Sequence, residues 1–258
     1  MNTDRMLEGR AAIITGSTRG NGQAMARLFS QQGASVVVTG REESEARRTA
    51  AELTAESKNP AAGFALDVTS SSQVKDLVAQ AVDRFGRIDI LVNNAGYPIK
   101  DEFWDVAFDA ISDESLTQVL NVDAIGTYRC CREVLPVMVK QSRGVIINIS
   151  STPAIGGYTK GAPYTVAKSA ILGITKHVAA EYGKYNIRCN AIAPGSIATP
   201  RNWDRLSADQ KKELVSGIPL GREGKPEDVA GVALMLASDY TSFVNGQTII
   251  VDGGETMR

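Results

Sequence analysis

The sequence predicts an α/β fold, a single-domain doubly wound parallel sheet with helices on both faces. Three observations carry that expectation. Short, β-branched apolar runs alternate with longer segments of helical period from one end to the other. No linker or low-complexity stretch breaks the alternation. At 258 residues the chain is ample for a sizeable core.

Taken in order, residues 11–15 read as the first strand and 22–32 as the first helix, stopped by Gly33. Residues 35–39 form the second strand, and the Ala-, Glu- and Arg-rich run 43–57 a helix. Strands follow at 62–66 and 88–92, on either side of a helix over 70–85. Long helices are expected over 116–140 and 163–182, with strands at 145–149 and 187–192. An irregular, charged segment runs to Ser216, then a helix over 226–237 and a last strand at 248–251. Repeated β-α-β units imply a parallel sheet, and ligands of such sheets bind beyond the carboxyl ends of the strands.

Composition excludes several classes. The net charge of −1, with no basic run, argues against nucleic acid as a partner. No apolar stretch is long enough to span a bilayer, and the charged N-terminus lacks a secretory core, so no membrane association is expected. Cys130, Cys131 and Cys189 have no framework spacing and suit a reducing, cytoplasmic setting. A single histidine, His177, stands without partner residues, so a zinc site or a Ser-His-Asp triad is not expected. No metal is expected at all.

Chemistry concentrates between the strand at 145–149 and Lys168. Ser150 and Ser151 end that strand, a Gly/Pro-bearing loop follows, and Tyr164 and Lys168 open the next helix four residues apart. At that spacing both side chains leave one helix face. A free tyrosine, with a pKa of about 10, is a poor acid-base catalyst at neutral pH. A lysine ammonium within a few ångströms favours the phenolate and brings it toward the working range. A strand-end serine hydroxyl can bond and orient a substrate oxygen. By itself the pattern fits any half-exposed helix; its weight comes from the motifs around it.

The first of those is Thr15-Gly16-Ser17-Thr18-Arg19-Gly20-Asn21-Gly22, which follows a strand and opens a helix. Glycines allow a tight turn and let backbone N–H groups approach a pyrophosphate at the positive helix end. The second strand ends in Thr39-Gly40-Arg41, with no acid where one would hold an adenosine ribose and repel a 2′-phosphate. Arg19 and Arg41 can clamp that phosphate, which favours NADP(H) over NAD. The plain alternative is that Arg41 is a solvated helix-start residue, and Glu42 and Glu43 complicate the field.

Ser151, twelve loop residues, Tyr164 and Lys168, with the TGxxxGxG spacing, resemble the short-chain dehydrogenase/reductase family and its Rossmann sheet. Further matches extend over nearly the whole chain. Asp67-Val68 is similar to the family's adenine-contacting pair, although Asp67 can also simply cap a turn. Asn93-Asn94-Ala95-Gly96 resembles the strand end that lies against the cofactor. Asn121, in LNVDAIG, is matched to the fourth catalytic residue, expected to kink the long helix and hold a water linking Lys168 to solvent. Pro194-Gly195-Ser196-Ile197-Ala198-Thr199 resembles the loop contacting the nicotinamide, with Ile197 giving backbone contacts and Thr199 a hydroxyl. Asn21 departs from the family, which usually has isoleucine there.

The resemblance implies an NADP(H)-dependent oxidoreductase in which Ser151 binds a carbonyl oxygen, Tyr164 supplies the proton and Lys168 anchors the ribose. Ser150 is the alternative serine. Residues 196–217 look like the short lid of 3-oxoacyl-thioester reductases. Other carbonyl, sugar or steroid dehydrogenases share the tail VNGQTIIVDGG and form the alternative. A catalytically idle NADP-binding module is disfavoured by the intact Ser-Tyr-Lys set. An epimerase or dehydratase is disfavoured by the lack of a large C-terminal substrate domain. Lys140, Arg143, Lys176 and Lys184 are candidates for a rim facing an acidic carrier protein. The segment from Tyr97 to Ser115, with Phe103, Trp104 and Phe108, can line the substrate pocket or merely cover the sheet. A homotetramer is expected. Its basis is an apolar stripe of Ala167, Ala170, Ile171, Ile174 and Val178 on one helix, paired with Val119, Leu120, Cys130, Val134 and Val137 on the other.

Overall fold

A computed structural model describes residues 5–98, 101–204 and 206–257, with the side chains of residues 101, 102, 201 and 202 outside that description. Seven strands make one parallel sheet: β1 (Ala11–Ile14), β2 (Ser35–Gly40), β3 (Ala61–Ala65), β4 (Ile90–Asn93), β5 (Gly144–Ile149), β6 (Ile187–Pro194) and β7 (Thr248–Val251). Their spatial order is β3-β2-β1-β4-β5-β6-β7. The order reverses between β1 and β4, and a crevice opens there at the carboxyl ends. The helices of the first half are α1 (Gly20–Gln31), α2 (Glu43–Ser57) and α3 (Ser71–Phe85). Then come α4 (Asp101–Trp104), α5 (Asp113–Leu120), α6 (Gly126–Gln141), α7 (Pro153–Gly156) and α8 (Ala162–Tyr182). The last three are α9 (Pro200–Trp203), α10 (Ala208–Ser216) and α11 (Pro226–Ala237).

Strand alternation sorts the core into two layers. Ile14, Val36, Val38, Ile90, Val92 and Ile147 point to one face, where Met25 and Phe29 of α1, Leu53 of α2 and Val229 of α11 cover them. Ile13, Val37, Leu91 and Ile146 point to the other, under Leu77 of α3, Val134 of α6 and Val178 of α8. All three cysteines are buried in this second layer as free thiols. Burial raises the pKa of each.

Two buried asparagines tie the second layer to the strands. Asn93 Nδ2 donates to Asn148 Oδ1 at 2.8 Å, and Asn148 Nδ2 donates to Thr175 Oγ1 of α8 at 2.9 Å. A hydrogen-bonded chain of this kind satisfies groups that would otherwise be costly inside the protein.

The structure departs from the expected elements at three places. The long helix over 116–140 is not continuous: α5 and α6 are joined through a π-helical turn, Asn121–Ile125. The segment over 196–217, expected to be irregular, holds α9 and α10. Ser207 accepts from Gln210 N while Gln210 Oε1 accepts from Ser207 N, so α10 begins with a capping box. Arg205, within that segment, lies outside the described residues. Finally, Ala167, Ile171 and Val178 face the protein's own core, as do Val119, Cys130 and Val134. Ala170 of the expected stripe is exposed, and the large apolar side chains left exposed here are Val166 on α8, Ile125 on the π-helical turn and Tyr128 on α6.

Close approach of α2 to the sheet depends on Gly63 in β3, since a Cβ there would overlap the Ala46 backbone. Gly63→Ala is expected to cost about 1–3 kcal/mol by forcing that helix outward. Urea unfolding should show a lower midpoint at an unchanged slope. An unchanged midpoint would contradict this packing.

Candidate active site

A cleft of about 640 Å³ lies over the carboxyl ends of β1, β4 and β5, and motifs far apart in sequence line it. Gly16, Thr18, Arg19, Gly20, Asn21 and Gly22 form one wall; Arg41, Asp67 and Val68 border it. Asn94, Ala95 and Gly96 form the floor, with Ser151, Tyr164 and Lys168 opposite, and Pro194, Gly195, Ile197 and Thr199 at the rim.

The glycine loop is built for backbone approach. Gly16 (φ 63°) and Gly20 (φ 56°) occupy the left-handed region. A Cβ on Gly22 would overlap the Gly16 carbonyl and come within 2.5 Å of Asn94 Nδ2. Asn94 Nδ2 donates to the carbonyls of Thr15 and Gly16, and Ala95 N donates to Thr15 Oγ1. The loop is thereby locked to the end of β4. Ser17, expected to bind cofactor, instead turns inward and is fully buried: its hydroxyl donates to Ile14 O and accepts from Thr39 N, and its backbone N–H donates to Thr39 O. Thr18 packs beneath Gly40. Asn21 Oδ1 is buried with no hydrogen-bond partner among the described residues.

The helix following this loop starts without an acidic residue in its first turn and without a side-chain cap. Its N–H groups and positive dipole end therefore face the cleft uncompensated. Arg19 and Arg41 are exposed beside it and have no acidic partner among the described residues. Asp67 Oδ1 accepts from Thr69 N and Thr69 Oγ1, closing a turn. It caps that turn and lines the cleft at once. An anionic dinucleotide fits this cradle: a glycine turn, a free helix N-terminus and two unpaired guanidiniums.

At the opposite wall, Lys168 is 5 % exposed. Its Nζ donates to Ile149 O at 3.1 Å and lies 5.5 Å from the centre of the Tyr164 ring. Trp104 meets Tyr164 edge-on at 5.8 Å and packs over Gly161, where a Cβ would overlap its ring. Trp104 thus borders the wall that carries Tyr164 and Lys168, with Phe103 buried beside it, whereas Phe108 is exposed. The two serines differ. Ser150 Oγ donates to Lys168 O at 2.9 Å and is committed to the helix. Ser151 Oγ donates to Pro194 O at 3.2 Å, at the cleft, and its hydroxyl can rotate toward a ligand.

Asn121 is the correction at this site. It starts the π-helical turn, so the expected break in the helix is there. Its amide oxygen, however, accepts from Arg129 Nη1 at 2.9 Å, away from Lys168. The residue that reaches Lys168 is Asp123, fully buried, with Oδ2 3.2 Å from Nζ and Oδ1 accepting from Tyr97 N. Burial opposes the charge on Lys168, but the Asp123 carboxylate and Tyr164 more than offset it, leaving the lysine pKa raised. Two residues apart on a helix, positions 121 and 123 point to opposite sides, and it is 123 that faces the cleft. The sequence signal for it is an acid in an otherwise apolar run.

The family model described as enoyl-(acyl carrier protein) reductase matches residues 16–256. The chain belongs to the short-chain dehydrogenase/reductase family. It is an oxidoreductase of the CH–OH class, and the family uses nicotinamide cofactors. A 3-oxoacyl-(acyl-carrier-protein) reductase of Thermotoga maritima is 39% identical over 257 residues, covering 96% of this chain and 98% of that protein. A 3beta-hydroxysteroid dehydrogenase of Eggerthella lenta is 37% identical over 253 residues, covering 97% and 95%. A solved structure described as a short-chain alcohol dehydrogenase from Sinorhizobium meliloti superposes with a TM-score of 0.89 at 31% identity, over 96% and 97% of the two chains. Among the described residues no helix is long and apolar enough to cross a membrane, and no side-chain cluster could hold a metal ion.

Proposed function

We propose that this protein interconverts a 3-oxoacyl thioester, or a similar ketone, and its secondary alcohol with NADP(H) as cofactor. The observation that carries the reading is a buried ammonium beside a tyrosine ring, facing a glycine cradle across one cleft. When bound, the nicotinamide supplies the two-electron chemistry. In reduction, the Ser151 hydroxyl turns from Pro194 O to the substrate carbonyl and Tyr164 delivers a proton to the same oxygen. In oxidation the tyrosine takes that proton back. Lys168 stabilises the charge that Tyr164 carries without its proton, and its burial keeps water from screening the effect.

The thioester class is favoured by the similarity to 3-oxoacyl reductases; the steroid and sugar dehydrogenases among the relatives keep a wider ketone range as the second reading. Of the basic residues considered for a carrier-protein rim, Arg143 is held by Asp239 at 3.0 Å, so that rim rests on the three lysines. Residues 1–258 are read as one NADP-binding domain in which residues 196–217 serve as the lid. Three buried free thiols suit the cytoplasm. A panel of acetoacetyl thioesters, diketones and steroid and sugar alcohols, followed by absorbance of the reduced cofactor, tests the reading. Activity on none of them would sink it.

Tyr164→Phe keeps the ring and removes the proton donor. Turnover should fall by about 10²–10⁴ while cofactor affinity hardly changes. Retention of a tenth of the activity would take Tyr164 out of the mechanism.

The cofactor preference rests on the two unpaired guanidiniums. Arg41→Asp, alone or with Arg19→Ala, should weaken NADPH binding by about tenfold or more and NADH binding far less. Fluorescence titration with both cofactors measures this, and a wild type that already prefers NADH would refute the argument.

A homotetramer is supported by two exposed apolar patches. One is read from the exposed side chains Val166 of α8, Ile125 and Tyr128; the other from Tyr240 and the fully exposed Phe243, after α11. Two self-complementary contacts on different axes close into four copies. Light scattering at micromolar concentration should return four times the chain mass, and a clean monomer would exclude the assembly.

A further inference from the structure

Asp123 is the one acidic side chain that meets the catalytic lysine among the described residues, and the proton transfer assigned to Tyr164 does not use it. It is wholly buried, on the π-helical turn between α5 and α6. Oδ1 accepts from Tyr97 N; Oδ2 stands 3.2 Å from Lys168 Nζ but has no hydrogen-bond donor aligned with it among the described residues. The contact is therefore an ion pair more than a directed bond. Backbone seals it: a Cβ on Gly96 would sit 3.4 Å from Asp123 Oδ1 and 3.6 Å from Lys168 Nζ.

Charge decides the effect of this contact. A lone ammonium beside Tyr164 favours the phenolate, whereas a carboxylate on the same ammonium opposes it. In a dry site neither influence is screened away. The geometry points to Asp123 as a positioning residue that makes Lys168 half of a net-neutral pair and so holds the proton on Tyr164, biasing the site toward proton donation and carbonyl reduction. This rests on Tyr164 being the proton donor of the proposed reaction. The raised pKa of Lys168 agrees with an ammonium held by a carboxylate.

The other groups around the pair do not duplicate the effect. From the strand side, Lys168 meets the Ile149 carbonyl, which is uncharged. From the β4 loop comes Tyr97, whose phenol donates to Gln118 Oε1. Tyr164 shares α8 with the lysine. Among the described residues, the remaining charged side chains lining the cleft are Arg19, Arg41, Glu42, Glu45 and Asp67, on the side of the glycine loop.

Asp123→Asn tests the inference, since it keeps the size and an acceptor for Tyr97 N–H and removes only the charge. The pH at which alcohol oxidation switches on should move down by about one unit. A readout free of turnover accompanies it: the tyrosinate absorbance titration of the protein without cofactor. Taken as the difference between Asp123→Asn and the same variant carrying Tyr164→Phe, it should shift by the same amount relative to the matching wild-type difference. Asp123→Ser is the second neutral variant, with circular dichroism as the check on folding. Coincident profiles for wild type and a folded neutral variant would overturn the inference. So would failure of both neutral variants to fold, because the carboxylate would then be an indispensable structural partner. A fully active Tyr164→Phe removes the reading beneath it, while an inactive Tyr164→Phe with an unshifted Asp123→Asn removes this inference alone.

Discussion

A buried ammonium is the constraint around which one wall of the cleft is arranged. Lys168 has almost no contact with water, and a charge in that position needs compensation from fixed groups. The compensation comes from three separate parts of the chain. The end of β5 supplies the Ile149 carbonyl, the π-helical turn supplies the Asp123 carboxylate, and Tyr164 presents its ring from the same helix. None of these can move far without stranding the charge. The position of α8 over the sheet is thereby coupled to the break between α5 and α6.

The opposite wall is organised by absence of bulk. Gly22 lies under the Gly16 carbonyl and against the amide of Asn94, so the first helix begins at the closest approach a backbone permits. Asn94 in turn anchors the loop from below. The crevice at the β1/β4 reversal thus has one wall made of backbone donors and one made of side-chain chemistry. A sheet whose strands all point the same way brings both to a single rim.

Much of this is legible in the sequence, because strands and motifs are local signals. Short apolar runs mark all seven strands to within two residues, and the glycine and Pro-Gly loops fall at strand ends as their turn chemistry requires. Sequence and structure part where one element's face depends on another. The run LNVDAIG points to Asn121, but helical register across a π turn is not visible in spacing. Asp123, the side chain that meets Lys168, escapes notice for the same reason. The apolar stripe on α8 reads as surplus although Ala167, Ile171 and Val178 are covered by the protein's own core. Periodicity identifies an apolar face without saying what lies against it. The helix α10 is a different kind of miss, since its Ser207-x-x-Gln210 signature is readable but outweighed by the charge around it.

The fate of the three cysteines has a practical side. Cys130, Cys131 and Cys189 lie inside the layer between sheet and helices, and burial keeps each in the unreactive thiol form. Alkylating probes and mild oxidants meet no accessible thiolate while the chain is folded. A cysteine introduced on the surface would be the sole attachment point for a fluorophore or spin label. The native chain is thus already a background for distance measurements across α9 and α10, with no cysteine to remove first.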